Sequence, residues 1–346
     1  MIRPVFLLPV LFAIHASSQS TRPAASVASQ YSLSTSTTLP FPQATLKNPS
    51  TQSFITSNWG LAKGRIQNGA SNLEFVNDPF TDAPAPGSTS NSSAPVLQVQ
   101  YLEGSFQANN ASGAQFYAMW NSSGSAFQSM LVTYEVAFDA DFDWVKGGKL
   151  PGLRGGPDPN HCSGGDQANG TNCFSSRLMW RPDGDGEVYA YVPKVNGICG
   201  DTGVMCNDDF GISLNRGSFV FSSGQWNRVT MLIRLNNPTN VANGQVILYF
   251  NDAQALEHNN IYFRSADVIA VGGLYFSTFF GGDDPAWAPT NLTHTYFRNF
   301  QLFAGTSPSD VQGSKVKSTA QGRMQMLTAL AGPVIIAFSV LLGLFI

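Results

Sequence analysis

Five stretches of the chain, residues 96–101, 130–138, 228–235, 245–250 and 296–303, alternate side-chain character with a period close to two. This patterning constrains the fold more than any other feature. Successive residues of a strand point to opposite faces, so such runs belong in stacked sheets that each bury one face. Gly, Pro, Asn and Asp separate the runs, and neither an internal repeat nor a long amphipathic helix interrupts them. The expected fold class is all-β: a jelly-roll-like antiparallel β-sandwich, one concave face of which would suit a long-chain ligand.

The two ends differ from the middle. Residues 1–18 read as a signal peptide: Arg3, an apolar run over 5–14, then Ala16, Ser17 and Ser18. Residues 19–55 are rich in Ser and Thr and are expected to be flexible. The folded domain is expected over 56–304, followed by a stalk over 305–325 with small residues around Gly313 and Ser314. Residues 326–346 are apolar, follow Arg323 and carry no basic residue after them, the layout of a C-terminal glycolipid-anchor signal. The expected location is therefore secreted, at the outer face of the plasma membrane or cell wall.

Cys162, Cys173, Cys199 and Cys206 fit an oxidising compartment, and the local pairings 162–173 and 199–206 would each staple a Gly- and Asp-rich loop. Five acceptor sequons for N-glycosylation, at Asn91, Asn110, Asn121, Asn169 and Asn291, agree with that address. The net charge of −3 excludes a generally basic, nucleic-acid-binding surface. A monomer is expected.

Only 12% of the residues are charged, yet Lys146, Lys149, Arg154, Arg177 and Arg181 fall in one window with Tyr189 and Tyr191. Residues 174–181 and 187–193 flank the turn Pro182-Asp-Gly-Asp-Gly186 and read as a hairpin. A symmetric register pairs Arg181 with Glu187, Met179 with Tyr189 and Arg177 with Tyr191. Ser175, Arg177, Met179 and Arg181 then share a face with Glu187, Tyr189 and Tyr191, while Ser176, Leu178, Trp180, Val188, Ala190 and Val192 face the core. Such Arg–Tyr and Arg–Glu pairs also occur on ordinary sheet surfaces. The glycine-rich segment around Lys149, which permits close backbone approach to a ligand, favours a site.

These motifs resemble polysaccharide lyase family 14, whose members cleave uronate polymers such as alginate and glucuronan. The resemblance spans roughly residues 56–304 and rests on Gly147-Gly-Lys149-Leu-Pro-Gly-Leu153, Ser175-x-Arg177-x-x-Trp180-Arg181, Tyr189-x-Tyr191 and Phe279-Phe-Gly-Gly-Asp-Asp-Pro-Ala-Trp287. It implies a jelly-roll fold, an acidic polysaccharide as partner, no cofactor, and Lys149, Ser175, Arg177, Tyr189 and Tyr191 as catalytic residues. Arg154, Arg181 and Glu187 are the accompanying substrate-binding candidates. In such a reaction Arg177 would hold the carboxylate, one of Tyr189 and Tyr191, its pKa lowered by neighbouring cations, would act as base, acid or both, and Lys149 would neutralise charge; Lys149 acting directly as base is the alternative. Ser175 would orient substrate.

Other chemistries fit less well. A glycoside hydrolase needs two carboxylates in close array, and Glu135 with Asp139 is the nearest imitation. Asp283-Asp284, Asp208-Asp209 and Asp183-Gly-Asp185 offer oxygen ligands for a structural Ca²⁺, although such sequences are more often turns. His161, His258 and His294 lack metal spacing, and no Cys-x-x-Cys zinc pattern is present. A non-catalytic, surface-held glycan binder is the alternative on the same scaffold.

Overall fold

The computed structural model describes residues 21–88, 94–107, 112–120 and 124–317. The signal-peptide and anchor segments, and the sequons at Asn91, Asn110 and Asn121, lie outside the described residues. The strands, in chain order, begin with β1 (Thr35–Thr38), β2 (Leu73–Val76), β3 (Val96–Tyr101), β4 (Ala114–Met119), β5 (Ser129–Phe138) and β6 (Gly148–Gly155). There follow β7 (Phe174–Trp180), β8 (Asp185–Tyr191), β9 (Val204–Met205), β10 (Ile212–Val220), β11 (Trp226–Arg234) and β12 (Val241–Ala242). The last are β13 (Gly244–Phe250), β14 (Ala253–Ile261), β15 (Val271–Phe280), β16 (Thr293–Gly305) and β17 (Ser314–Lys315).

Two antiparallel sheets form a sandwich. One runs β14-β13-β11-β5-β16-β3-β2, with β1 also paired to β16; the other runs β4-β15-β6-β7-β8-β10-β9. All five strands read from the alternating pattern are present, and the inward residues of both sheets make one core. Leu97, Val132, Val136, Met231 and Phe297 from the first sheet meet Leu150, Leu153, Leu178, Trp180, Val188 and Phe276 from the second. The polar partners of these residues in the second sheet therefore face outward.

The ordered body is longer at both ends than the sequence suggests. Within the supposedly flexible 19–55 segment, helices α1 (Ala24–Gln30) and α2 (Ser50–Asn58) flank β1. α1 is only seven residues long, too short for a helical period to show. It buries Val27 and Ala28 against Leu131, Leu232, Ile247 and Tyr249, covering part of the outer face of the first sheet. The expected stalk is also docked as far as residue 317: β17 pairs with β12, and Arg234 holds both Asp310 and the Pro308 carbonyl.

Both disulfides form as expected, Cys162–Cys173 and Cys199–Cys206. Asn169 and Asn291 are exposed.

Candidate active site

The hairpin of β7 and β8 forms, but its register is two residues tighter than the symmetric reading. Ser175 opposes Tyr191, Arg177 opposes Tyr189, and Met179 opposes Glu187. The reason is local: Asp185 and Gly186 join the strand, and the turn contracts to Pro182–Gly184, closed by an Arg181 N–H bond to the Asp185 carbonyl. A slip of two preserves which side chains share a face, so the outward set is the one expected.

Lys149 and Arg154 reach that same face by a different device. They are five residues apart on β6, so strict alternation would put them on opposite faces. Between Leu150 and Leu153 the register against β7 shifts by one residue, a β-bulge at Pro151-Gly152. Leu150 and Leu153 consequently both point inward, and the cations at either end both point outward. A side chain at Gly152 would lie 2.1 Å from the Ser176 carbonyl oxygen, and one at Gly148 would lie 2.1 Å from the Trp180 ring. Only glycine admits this close strand approach.

The outward layer brings Lys149, Met179, Tyr189, Tyr191 and Arg177 together. Lys149 Nζ lies 4.1 Å from the centroid of the Tyr189 ring and 2.8 Å from Met179 Sδ. The rings of Tyr189 and Tyr191 meet edge to face at 5.9 Å. Arg177 is buried, donates to Ser277 Oγ at 2.9 Å, and its Cζ stands 4.5 Å from the Tyr275 ring and 6.0 Å from the Tyr191 ring. Arg154 Cζ stacks 4.5 Å from the Tyr117 ring, which in turn meets Tyr275 at 4.4 Å.

The electrostatics depart from expectation. Burial, and then the coupling of each ring to neighbouring phenols, holds Tyr189 above the usual phenol range. Burial likewise raises Tyr191, against the pull of the Gly165 N–H and the Arg177 charge. The expected lowering of these two phenols does not occur, because desolvation outweighs the nearby cations. The group that moves down is Lys149. Its stem keeps some exposure, but its amine sits amid a dense shell of protein atoms; burial, then Arg177 and Arg181, drive its pKa well below the usual 10.5, with Glu187 opposing. Tyr275, not foreseen from the sequence, is lowered: burial acts to raise it, and the Arg177 charge, joined by hydrogen bonds to Ser163 and Tyr117 and by the Arg154 charge, prevails.

Two solved structures and a family model give this arrangement a context. The polysaccharide lyase 14 model matches residues 89–300. The marine alginate lyase of Aplysia kurodai is 30% identical over 78% of this chain and 100% of its own, with a TM-score of 0.64. The chain belongs to the polysaccharide lyase 14 family. Alginate lyase vAL-1 from Chlorella virus shares the fold at 22% identity, 63% and 88% coverage of this chain and that one, and a TM-score of 0.52. No protein of curated function matches significantly. The protein is thus a polysaccharide lyase on a jelly-roll-like β-sandwich.

Within this lyase, several candidates from the sequence have other employment. Glu187 is fully buried and receives Arg181 Nη2 at 2.6 Å, Arg216 Nε at 2.7 Å and Ser213 Oγ at 2.7 Å, so its carboxylate is engaged by two arginines and a hydroxyl beside Met179. Arg181 is correspondingly committed to Glu187. Ser175 is buried and donates to the Cys162 carbonyl at 2.6 Å, which ties it to the disulfide loop. That loop rests on the site: Cys162, Ala168 and Cys173 pack with Met179, Tyr189 and Tyr191, and the Gly165 N–H donates to Tyr191 Oη at 3.2 Å. His161 is exposed and engaged by Asp158, while its carbonyl accepts from Arg154 Nη1 at 3.0 Å.

The hydrolase-like carboxylates are consumed elsewhere. Glu135 lies on the first sheet, paired with Arg228 and Arg298, and Asp139 accepts from His294 and Tyr296. Among the described residues, no three His, Cys, Asp or Glu side chains gather as metal ligands; Asp284 accepts from the Ala286 N–H and caps a turn. A surface hollow of about 630 Å³ between Arg234, Asn243 and residues 307–313 holds none of the site side chains, and its Arg234 is paired with Asp310. Sequence reasoning missed Tyr117, Tyr275 and Ser277. They come from β4 and β15, far along the chain, and only sheet order makes them neighbours of Arg154 and Arg177.

Proposed function

We propose that this lyase cleaves a 1,4-linked uronate polymer of the glucuronan or alginate kind by β-elimination, with Lys149 as base, Tyr189 as acid and Arg177 facing the reacting sugar's carboxylate. The observation that carries this reading is the Lys149 amine packed against the Tyr189 ring in surroundings that disfavour its charged form. A neutral amine can accept a proton; a desolvated phenol held above its usual range keeps its proton and can donate it. The roles of Lys149 as charge neutraliser and of a tyrosine as base fit these shifts less well.

In the reaction, Lys149 Nζ takes the C5 proton and the C5–H electron pair becomes the C4=C5 double bond. The C4–O4 bond breaks, and O4 leaves with the proton of Tyr189 Oη. Negative charge builds on the carboxylate attached to C5 as the proton departs, and the Arg177 guanidinium stabilises it. The products are a chain with a new end at O4 and one ending in an unsaturated uronate. The two disulfides agree with a secreted protein, and we extend the proposal to a location at the cell surface through the C-terminal segment.

The test is to incubate the purified protein with glucuronan, alginate and related polyuronates while following the ultraviolet absorbance of the conjugated double bond. A rise on at least one polymer is expected. New reducing ends without absorbance would indicate hydrolysis and overturn the proposal, and binding without either signal would indicate a glycan-binding protein.

A further inference from the structure

The core leaves three aromatic side chains unused, and all of them adjoin the site. Among the described residues, Trp287 is the one tryptophan, and Phe210 and Phe279 are the two phenylalanines, that join no buried hydrophobic cluster. Phe210 lies by the disulfide loop, where a side chain at Gly165 would meet its ring. Phe279 and Trp287 stand at the other end of the site, beside the proposed base.

Sheet geometry puts both rings on the outward face. Phe279 pairs directly with Lys149 across β15 and β6, so their Cβ atoms lie about 5 Å apart on one side of the sheet. Its strand neighbours Phe276 and Phe280 point into the core, whereas Phe279 itself is half-buried. The ladder continues past β15, because the Gly281 N–H donates to the Gly147 carbonyl. Alternation therefore aims position 281 outward as well, about 7 Å along from Phe279. The half-buried Trp287 ring takes the space that a side chain there would need. A Cβ at Gly281 would lie 3.5 Å from that ring, and one at Gly282, whose φ is +76°, would lie 2.0 Å from it. The chain returns through a turn over Pro285–Trp287, capped by Asp284. The two glycines of Phe279-Phe-Gly-Gly-Asp-Asp-Pro-Ala-Trp287 thus seat a tryptophan that the core does not use.

Lys146 supplies a charge at the same place. Its ammonium stands 5.8 Å from the Trp287 ring centroid and 3.7 Å from Asp284 Oδ1, and both charged side chains are about half exposed. An exposed pair of this kind contributes about 0–1 kcal/mol, so the ammonium can exchange Asp284 for another carboxylate at little cost. The Arg154 end of the site is covered by the disulfide loop, through the His161 carbonyl on Arg154 and the Gly165 N–H on Tyr191. A bound polymer therefore leaves the reacting position past Lys149, over Phe279. Resting on the lyase reading above, we infer that Phe279, Trp287 and Lys146 form a subsite for the uronate next to the one attacked. The rings carry the apolar face of that sugar, and the ammonium meets its carboxylate.

The experiment uses the full chain and steady-state kinetics on whichever polyuronate the wild type cleaves. Trp287→Ala is expected to raise KM roughly fivefold or more, and Lys146→Gln roughly two- to fivefold, with kcat reduced far less in both. Added salt should shrink the Lys146 effect and spare that of Trp287. A tryptophan that merely held its turn together would also move KM, so a spectroscopic readout separates the two roles. Polymer added to Lys149→Met should change tryptophan emission, and the change should be lost in the double variant Lys149→Met/Trp287→Phe. An unchanged KM in either single variant overturns the subsite. So does an emission change that survives Trp287→Phe, or polymer that sediments with Lys149→Met and leaves its emission unaltered. Should Trp287→Ala fold poorly, Lys146→Gln and the emission difference decide. A wild type inert on every polyuronate overturns the functional reading instead, an outcome distinct from an active enzyme indifferent to these substitutions.

Discussion

Glu187→Gln keeps the shape of a buried side chain and removes a charge two strands across the sheet from the proposed base. Glu187 is fully buried and balances Arg181 and Arg216. Removing one partner of a buried ion pair costs about 3–5 kcal/mol. Arg216 is about a third exposed and regains water when released, so the lower figure, about 3 kcal/mol, applies. With an unfolding entropy of about 2.1 cal/mol/K per residue over roughly 300 ordered residues, the melting temperature should fall by about 5 °C. The electrostatic effect has its own sign. Glu187 is the charge that favours protonated Lys149, whereas Arg177 and Arg181 disfavour it. Without Glu187 the amine loses its proton at still lower pH, so the acid limb of the kcat/KM profile should move to lower pH. Calorimetry and a pH–rate series on the responsive polyuronate read the two effects separately. An acid limb that stays in place, or moves to higher pH, would refute Lys149 as base. An undiminished melting temperature would refute Glu187 as the anion holding the arginines.

Lys149→Met should lower kcat by about 10²–10⁴-fold, as measured by double-bond absorbance. It should also stabilise the fold near neutral pH. The folded state holds the Lys149 pKa below the 10.5 of an unfolded chain, so wild-type stability falls as pH drops below about 10.5; the advantage of the variant should close as pH rises toward that value. Tyr189→Phe should cost a similar factor in kcat and flatten the alkaline limb, whereas retained activity would remove Tyr189 as acid. Replacing Cys162 and Cys173 together by Ser opens a loop of 11 residues, with an expected loss of about 3 kcal/mol in denaturant unfolding. KM should rise as well, because that loop contacts Tyr191. Arg298→Met, on the first sheet, abandons Asp78 and Glu135 and should destabilise by about 3–5 kcal/mol while leaving kcat per folded molecule unchanged.

The alternation of residues 96–101 or 130–138 was enough to name strands and the sandwich, because period-two burial is a local property. The same is true of the hairpin faces. Although its register is two residues from the symmetric one, parity is conserved, and Leu178, Trp180, Val188 and Ala190 are buried where the pattern placed them. The local Cys pairings were legible for the same reason, each closing a short loop.

What the sequence could not decide depends on distance through space. Lys149 and Arg154 share a face only because β6 bulges at Pro151-Gly152, and that bulge is set by packing on two neighbouring strands. Tyr117 and Tyr275 enter the site because β15 lies beside β6 in the sheet and β4 lies beside β15. Burial then reverses the electrostatic expectation: charge attraction alone predicts lowered phenols, but desolvation acts on every group and is fixed by how many atoms the fold packs around it. Residue types and their alternation, which neighbours along the chain determine, therefore identified the strands and the reactive side chains. Protonation state, pairing and access were decided by the tertiary structure, because each is a sum over atoms that the sequence does not place near one another.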